Sequence, residues 1–83
     1  MNLADLVQGY FQKTDEEKQE IVMLCTRYYI EDMIIAGGNL PTLKLHLQLL
    51  QKRSLENEHY EVSEVLGEII NGITVTLEES EDV

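Results

Sequence analysis

Apolar residues recur at helical spacing through most of the chain, and four stretches carry the pattern. In residues 2–13, Leu3, Leu6, Val7, Tyr10 and Phe11 share a face, which predicts a short amphipathic helix with Asn2 as a cap and Asp5 in its first turn. Gly9 weakens that helix by about 1 kcal/mol relative to Ala, so packing must hold it. Residues 14–38 contain a start signal, a long apolar middle and a stop signal in one piece. Thr14 and Glu17 have the spacing of a capping box, and Asp15, Glu16 and Glu17 place negative charge where the helix dipole favours it. Ile21, Leu24, Cys25 and Tyr28 follow one face, while Val22, Tyr29, Met33 and Ala36 widen the apolar arc past half the circumference. A helix this apolar is expected to be the central one, on which the others pack. Gly37 and Gly38 supply the residue type that closes a helix in the left-handed conformation without a Cβ clash.

Beyond that glycine turn, Pro41 suits the first position of a new helix, where its missing N–H costs nothing. Leu43, Leu45, Leu47 and Leu49 alternate with polar residues as a strand would, yet residues 43–53 contain no β-branched residue, and Leu40, Leu43, Leu47 and Leu50 also form a helical stripe. Helix is the better reading, to about residue 54, with a break in the polar segment 54–60. From Glu61, the residues Val62, Val65, Leu66, Ile69, Ile70 and Ile73 give the cleanest amphipathic pattern in the chain. Asn71 and Gly72 read as a stop, after which residues 73–77 alternate with β-branched side chains, so this segment is either more helix or a short extended piece. The expected fold is all-α: a bundle of about four helices forming one domain over residues 1–77, followed by an acidic disordered tail at residues 78–83.

Composition narrows the class. A chain of 83 residues buries only about 60% of the surface its unfolded form exposes. Two helices with apolar arcs wider than one neighbour covers then make a homodimer the expected assembly. The formal charge is -10, which repels phosphates and argues against nucleic acid or an anionic membrane as a direct partner. A protein with a basic surface fits better. One cysteine, Cys25, cannot make an internal disulfide, and residues 1–13 lack the basic start and apolar run of a signal peptide. No run approaches a membrane span. A soluble, cytoplasmic protein is the expectation.

Charge is segmented along the chain. Residues 34–54 hold Lys44, Lys52 and Arg53 and no acid, whereas residues 54–83 hold nine acids and no Lys or Arg. Pairing between neighbouring helices and simple solubility explain most of this, since exposed pairs contribute only about 0–1 kcal/mol each. The sharper reading makes Glu61, Glu64 and Glu68 a docking face for a basic protein, or a mimic of a phosphate backbone that fills a nucleic-acid-binding cleft. Tyr28 and Tyr29 join the candidate partner-binding residues, because paired tyrosines are common at protein interfaces. Glu56 and His59 have the Glu-x-x-His spacing of carboxylate-bridged dimetal sites, but one pair makes a site only in a symmetric dimer. His46 reads as the polar edge of a helix. Cys25 sits among apolar and aromatic residues with no base near it in sequence, so a buried thiol is expected rather than a nucleophile. Phosphate loops, paired-cysteine motifs and nucleophile elbows are absent from the sequence. The reading is a non-enzymatic, cofactor-free interaction module, a small regulator or inhibitor of another protein. A nucleic-acid mimic is the alternative and a dimetal or thiol enzyme the third.

Overall fold

The computed structural model describes residues 3–81 and forms a small all-α bundle. Its helices are α1 (Leu3–Leu6), α2 (Asp15–Ala36), α3 (Leu40–Glu56) and α4 (Tyr60–Glu81), with a 3-10 turn at Tyr10–Gln12 between the first two. The capping residue proposed for the first helix, Asn2, lies outside the described residues, as do residues 82 and 83.

Local signals set the ends of α2 as the sequence implies. Glu17 donates its backbone N–H to Thr14 Oγ1 at 3.2 Å, and the Glu17 carboxylate accepts from the Thr14 backbone N–H at 3.2 Å, which satisfies two donors that a helix start leaves open. At the other end Gly37 alone takes the left-handed conformation, at φ 75°, and its N–H and that of Gly38 reach back to the carbonyls of Ile34 and Met33. Asn39 then caps α3 by accepting from the Thr42 N–H at 3.0 Å. Leu40 rather than Pro41 occupies the first helical position, and Pro41 follows inside the same unpaired turn.

The first segment is not one helix. Gly9 adopts φ 76°, a left-handed value that interrupts α1 and starts the 3-10 turn, so the glycine that was expected only to weaken the helix divides it. The α3–α4 boundary is comparable. Residues 57–59 make the break, and the N–H groups of Glu58 and His59 bond the carbonyls of Leu55 and Ser54. Glu58 holds the left-handed position at φ 60° where glycine usually stands.

α4 resolves the C-terminal ambiguity. It runs unbroken through Asn71, Gly72 and the β-branched stretch to Glu81, so there is no extended segment among the described residues, and residues 78–81 of the expected tail are helical. The reason is tertiary. Ile69, Ile70 and Ile73 continue the buried stripe of Val65 and Leu66, and packing of that face outweighs strand propensity. Thr74 also donates its hydroxyl to the Ile70 carbonyl at 2.9 Å, a bond open to a helical threonine.

The largest difference from expectation is which helix lies at the centre. α2 buries Cys25 alone, whereas α4 contributes Val65, Leu66, Ile69, Ile70 and Ile73 to the core. α3 adds Leu43 and Leu47, and the N-terminal segment adds Val7 and Tyr10. Most packing between helices joins α3 to α4, with α2 more lightly held. The Gln51 side chain lies along the seam between the two main helices: its amide donates to the Ser63 carbonyl at 3.2 Å and stands over Gly67, where a Cβ would meet it at 2.8 Å. The apolar arc of α2 is wide because it is spread around the helix, and spread is not burial.

Leu47 has no exposed surface, whereas Leu45, two residues earlier, is 64% exposed. Leu47→Ala should therefore cost about 2–5 kcal/mol of unfolding free energy, and Leu45→Ala should stay within about 0.5 kcal/mol. Urea unfolding followed by circular dichroism separates the two; equal losses would mean that α3 does not present this face to α4.

Candidate interaction surface

Helix α4 exposes Glu64 and Glu68 together, as four-residue spacing on a helix requires. Glu61 behaves differently from the solvated carboxylate expected of it. It is partly buried, and its Oε2 accepts the backbone N–H of Tyr10 at 2.7 Å, a donor that the Val7 carbonyl also accepts at 2.9 Å. Glu61 thus ties the 3-10 turn to the start of α4. Glu64 and Glu68 line a groove with Tyr10, Phe11, Asp15 and Lys18, where the Lys18 ammonium stands 5.6 Å from the centre of the Tyr10 ring. Burial raises the Tyr10 hydroxyl above its ordinary pKa, and the negative charges of Glu68 and Glu64 push it further the same way.

Tyr28 and Tyr29 do not form one platform. Their rings meet edge to face with centroids 5.8 Å apart and planes at 77°, but Tyr29 packs against the core while Tyr28 is exposed. With Leu3 and Cys25 they enclose a space of about 40 Å³. Burial raises the Tyr29 pKa, helped by Cys25 and Tyr28, and burial also raises that of Cys25. A thiol kept protonated in this way is the opposite of an activated nucleophile.

Glu56 closes α3 and His59 stands in the turn before α4, so no continuous helix projects this pair toward a common point. Among the described residues, no group of three or more His, Cys, Asp and Glu side chains is placed to hold a metal ion. His46 is exposed on α3. No helix among the described residues is long and apolar enough to cross a membrane.

The surface that the candidate residues reach only at Tyr28 is the outer side of α2. Met23, Leu24, Tyr28, Ile34 and Ile35 are all exposed there, Ile35 by 84%. Between them run Arg27 and Glu31, joined by an ion pair of 3.2 Å. The depression bordered by Met23, Leu24, Arg27, Ile30 and Glu31 is formed by α2 residues alone, so it is a helix face without a neighbour rather than a cavity. The signal was present in the sequence as an apolar arc wider than one neighbour covers. Comparison with known proteins finds no matching family model, no similar curated protein and no similar solved structure.

Two outcomes follow from this geometry. Glu61→Ala removes the tie to Tyr10 and should cost about 1 kcal/mol in urea unfolding, because a charge-assisted bond is lost but the N–H keeps Val7. Glu64→Ala and Glu68→Ala should change it by less than about 0.5 kcal/mol; a ranking with Glu61 the most tolerant position would show that the tie contributes nothing.

The second concerns alkaline pH. Cys25, Tyr10 and Tyr29 ionise less readily folded than unfolded, so the unfolded chain releases protons first and stability falls as pH rises. Stability from these groups is complete below their ordinary values of 9.0 for the thiol and 10.0 for the phenols, and is lost above them. Urea midpoints measured from pH 7 to about pH 11 should hold level and then decline, with a shallower decline in Tyr29→Phe. An identical decline in that variant would remove Tyr29 from the explanation.

Proposed function

We propose that this chain is a non-enzymatic protein-interaction module, a small regulator or inhibitor that self-associates and acts by binding a second protein. The observation that carries the reading is the outer face of α2, where Met23 is 70% and Ile34 66% exposed in a chain whose α4 core is fully enclosed. Several large apolar side chains exposed on one side of a helix in a small protein mark a contact site. The charge of -10 selects among partners by favouring a basic one and speeding its approach. Glu64 and Glu68 are the carboxylates free to act this way, since Glu61 is engaged with Tyr10.

The nucleic-acid mimic is the weaker reading. A mimic needs an even row of negative charge, and on the outer face of α4 the pair Glu64 and Glu68 is separated from Glu78 and Glu79 by exposed Asn71, Gly72 and Val75. Lys18 also lines the groove beside the first pair. The cytoplasm, where thiols stay reduced, suits the unpaired Cys25.

The test is to capture the partner from the native host with the wild-type chain, then measure its affinity for wild type and for the double variant Glu64→Gln, Glu68→Gln at low and high salt. The variant should associate more slowly and show a weaker salt dependence. Equal affinities and slopes would reduce these carboxylates to solubility, and failure to capture any protein would remove the interaction reading itself. A captured protein displaced by nucleic acid from the same cleft would favour the mimic.

A further inference from the structure

We infer that the outer face of α2 is the seam of an antiparallel two-fold dimer of this chain, closed by exchange of the Arg27–Glu31 ion pair between copies. The inference rests on the reading of this face as a contact site and names its occupant. An isologous interface must be complementary to itself, and the face meets that condition. At about 100° per residue, the direction of Tyr29 along α2 lies opposite the centre of the exposed face, midway between Arg27 and Glu31. A two-fold axis lying beside that centre, perpendicular to the helix, sets residues at opposite heights about residue 29 and on the same flank of the face against one another. Met23 then meets Ile34, Leu24 meets Ile35, and Arg27 meets Glu31, both of which lie within about 20° of the centre.

These pairs are apolar with apolar or base with acid. Met23, Leu24, Tyr28, Ile34 and Ile35 are exposed, and the Arg27 and Glu31 side chains are 78% and 62% exposed, so the participating groups are accessible in the single chain. Tyr29, level with the axis but on the opposite side of α2, stays with the core. A parallel pairing would instead set Arg27 on Arg27 and Glu31 on Glu31. Two ion pairs of 3.2 Å become four alternating charges in the antiparallel arrangement, flanked on both sides by apolar residues that exclude water. Polar residues within an otherwise apolar seam fix its register and orientation. Because each copy carries -10, salt should strengthen this association by screening repulsion, the reverse of its effect on a basic partner.

The experiment is sedimentation or light scattering at micromolar concentration on wild type, Arg27→Glu, Glu31→Arg and an equimolar mixture of the two variants, with circular dichroism confirming the fold of each. Wild type should be dimeric and tighter at high salt. Each variant alone sets like charges across the axis and should dissociate at about tenfold higher concentration or more. The mixture should form a dimer again, because one copy then presents two carboxylates and the other two guanidinium groups. Ile35→Glu should dissociate regardless of mixing. A wild-type monomer would overturn the dimer while leaving α2 open to a different protein. A dimer indifferent to all these substitutions would place the contact elsewhere, and variants that weaken it without rescue on mixing would overturn the antiparallel register.

Discussion

The fold depends on the single apolar stripe of α4. Val65, Leu66, Ile69 and Ile73 are almost completely enclosed, and a helix with one strongly apolar side is stable only when that side is covered. Each other element supplies part of the cover: α3 through Leu43 and Leu47, the N-terminal segment through Val7 and Tyr10, α2 through Cys25. A polar tie accompanies the apolar cover, since the Gln51 amide of α3 donates to the Ser63 carbonyl of α4. Elements that share a contact with α4 are thereby placed relative to one another.

What could be read from the sequence was what is decided locally. Thr14 and Glu17, Gly37, and the turn before α3 involve groups within a few residues of each other, so their spacing is nearly sufficient evidence for the caps that form. The centre of the bundle was harder to read. Apolar content placed it at α2, but content does not distinguish a buried helix from one whose apolar residues point in several directions, and only Cys25 of α2 is enclosed. The C-terminal half of α4 was ambiguous for a related reason, because the propensities of Thr74, Val75 and Thr76 oppose the stripe to which Ile73 belongs. Glu58 and Gly9 complete the picture: a glutamate took a left-handed turn position that carries no sequence signature, and a glycine expected inside a helix took one that ends it.

The candidate surface was legible in the same uneven way. The four-residue spacing of Glu64 and Glu68 implied that they share a face, and they do. Glu61 stands three residues before Glu64, but its Tyr10 partner comes from a turn that no helical periodicity describes. Tyr28 and Tyr29 are adjacent, and adjacency on a helix separates directions by about 100°, so one faces the core and the other solvent. The unpartnered side of α2 emerges once the covered side is known, because exposure is defined by what the other helices leave over.

The bond between Tyr10 and Glu61 crosses 51 residues, and that separation has a consequence for how the chain comes into being on the ribosome. A nascent chain is made from its N-terminus, so Val7, Tyr10 and Cys25 are synthesised before the stripe of α4 exists. Until then α2 has its capping box to stabilise its own start and little to cover its apolar sides. The contiguous pair α3 and α4 can close soon after the second helix emerges, since only residues 57–59 separate them and short loops close at low entropic cost. The N-terminal turn and α2 are therefore made before the helix that covers them, and the apolar sides of α2 wait for α4.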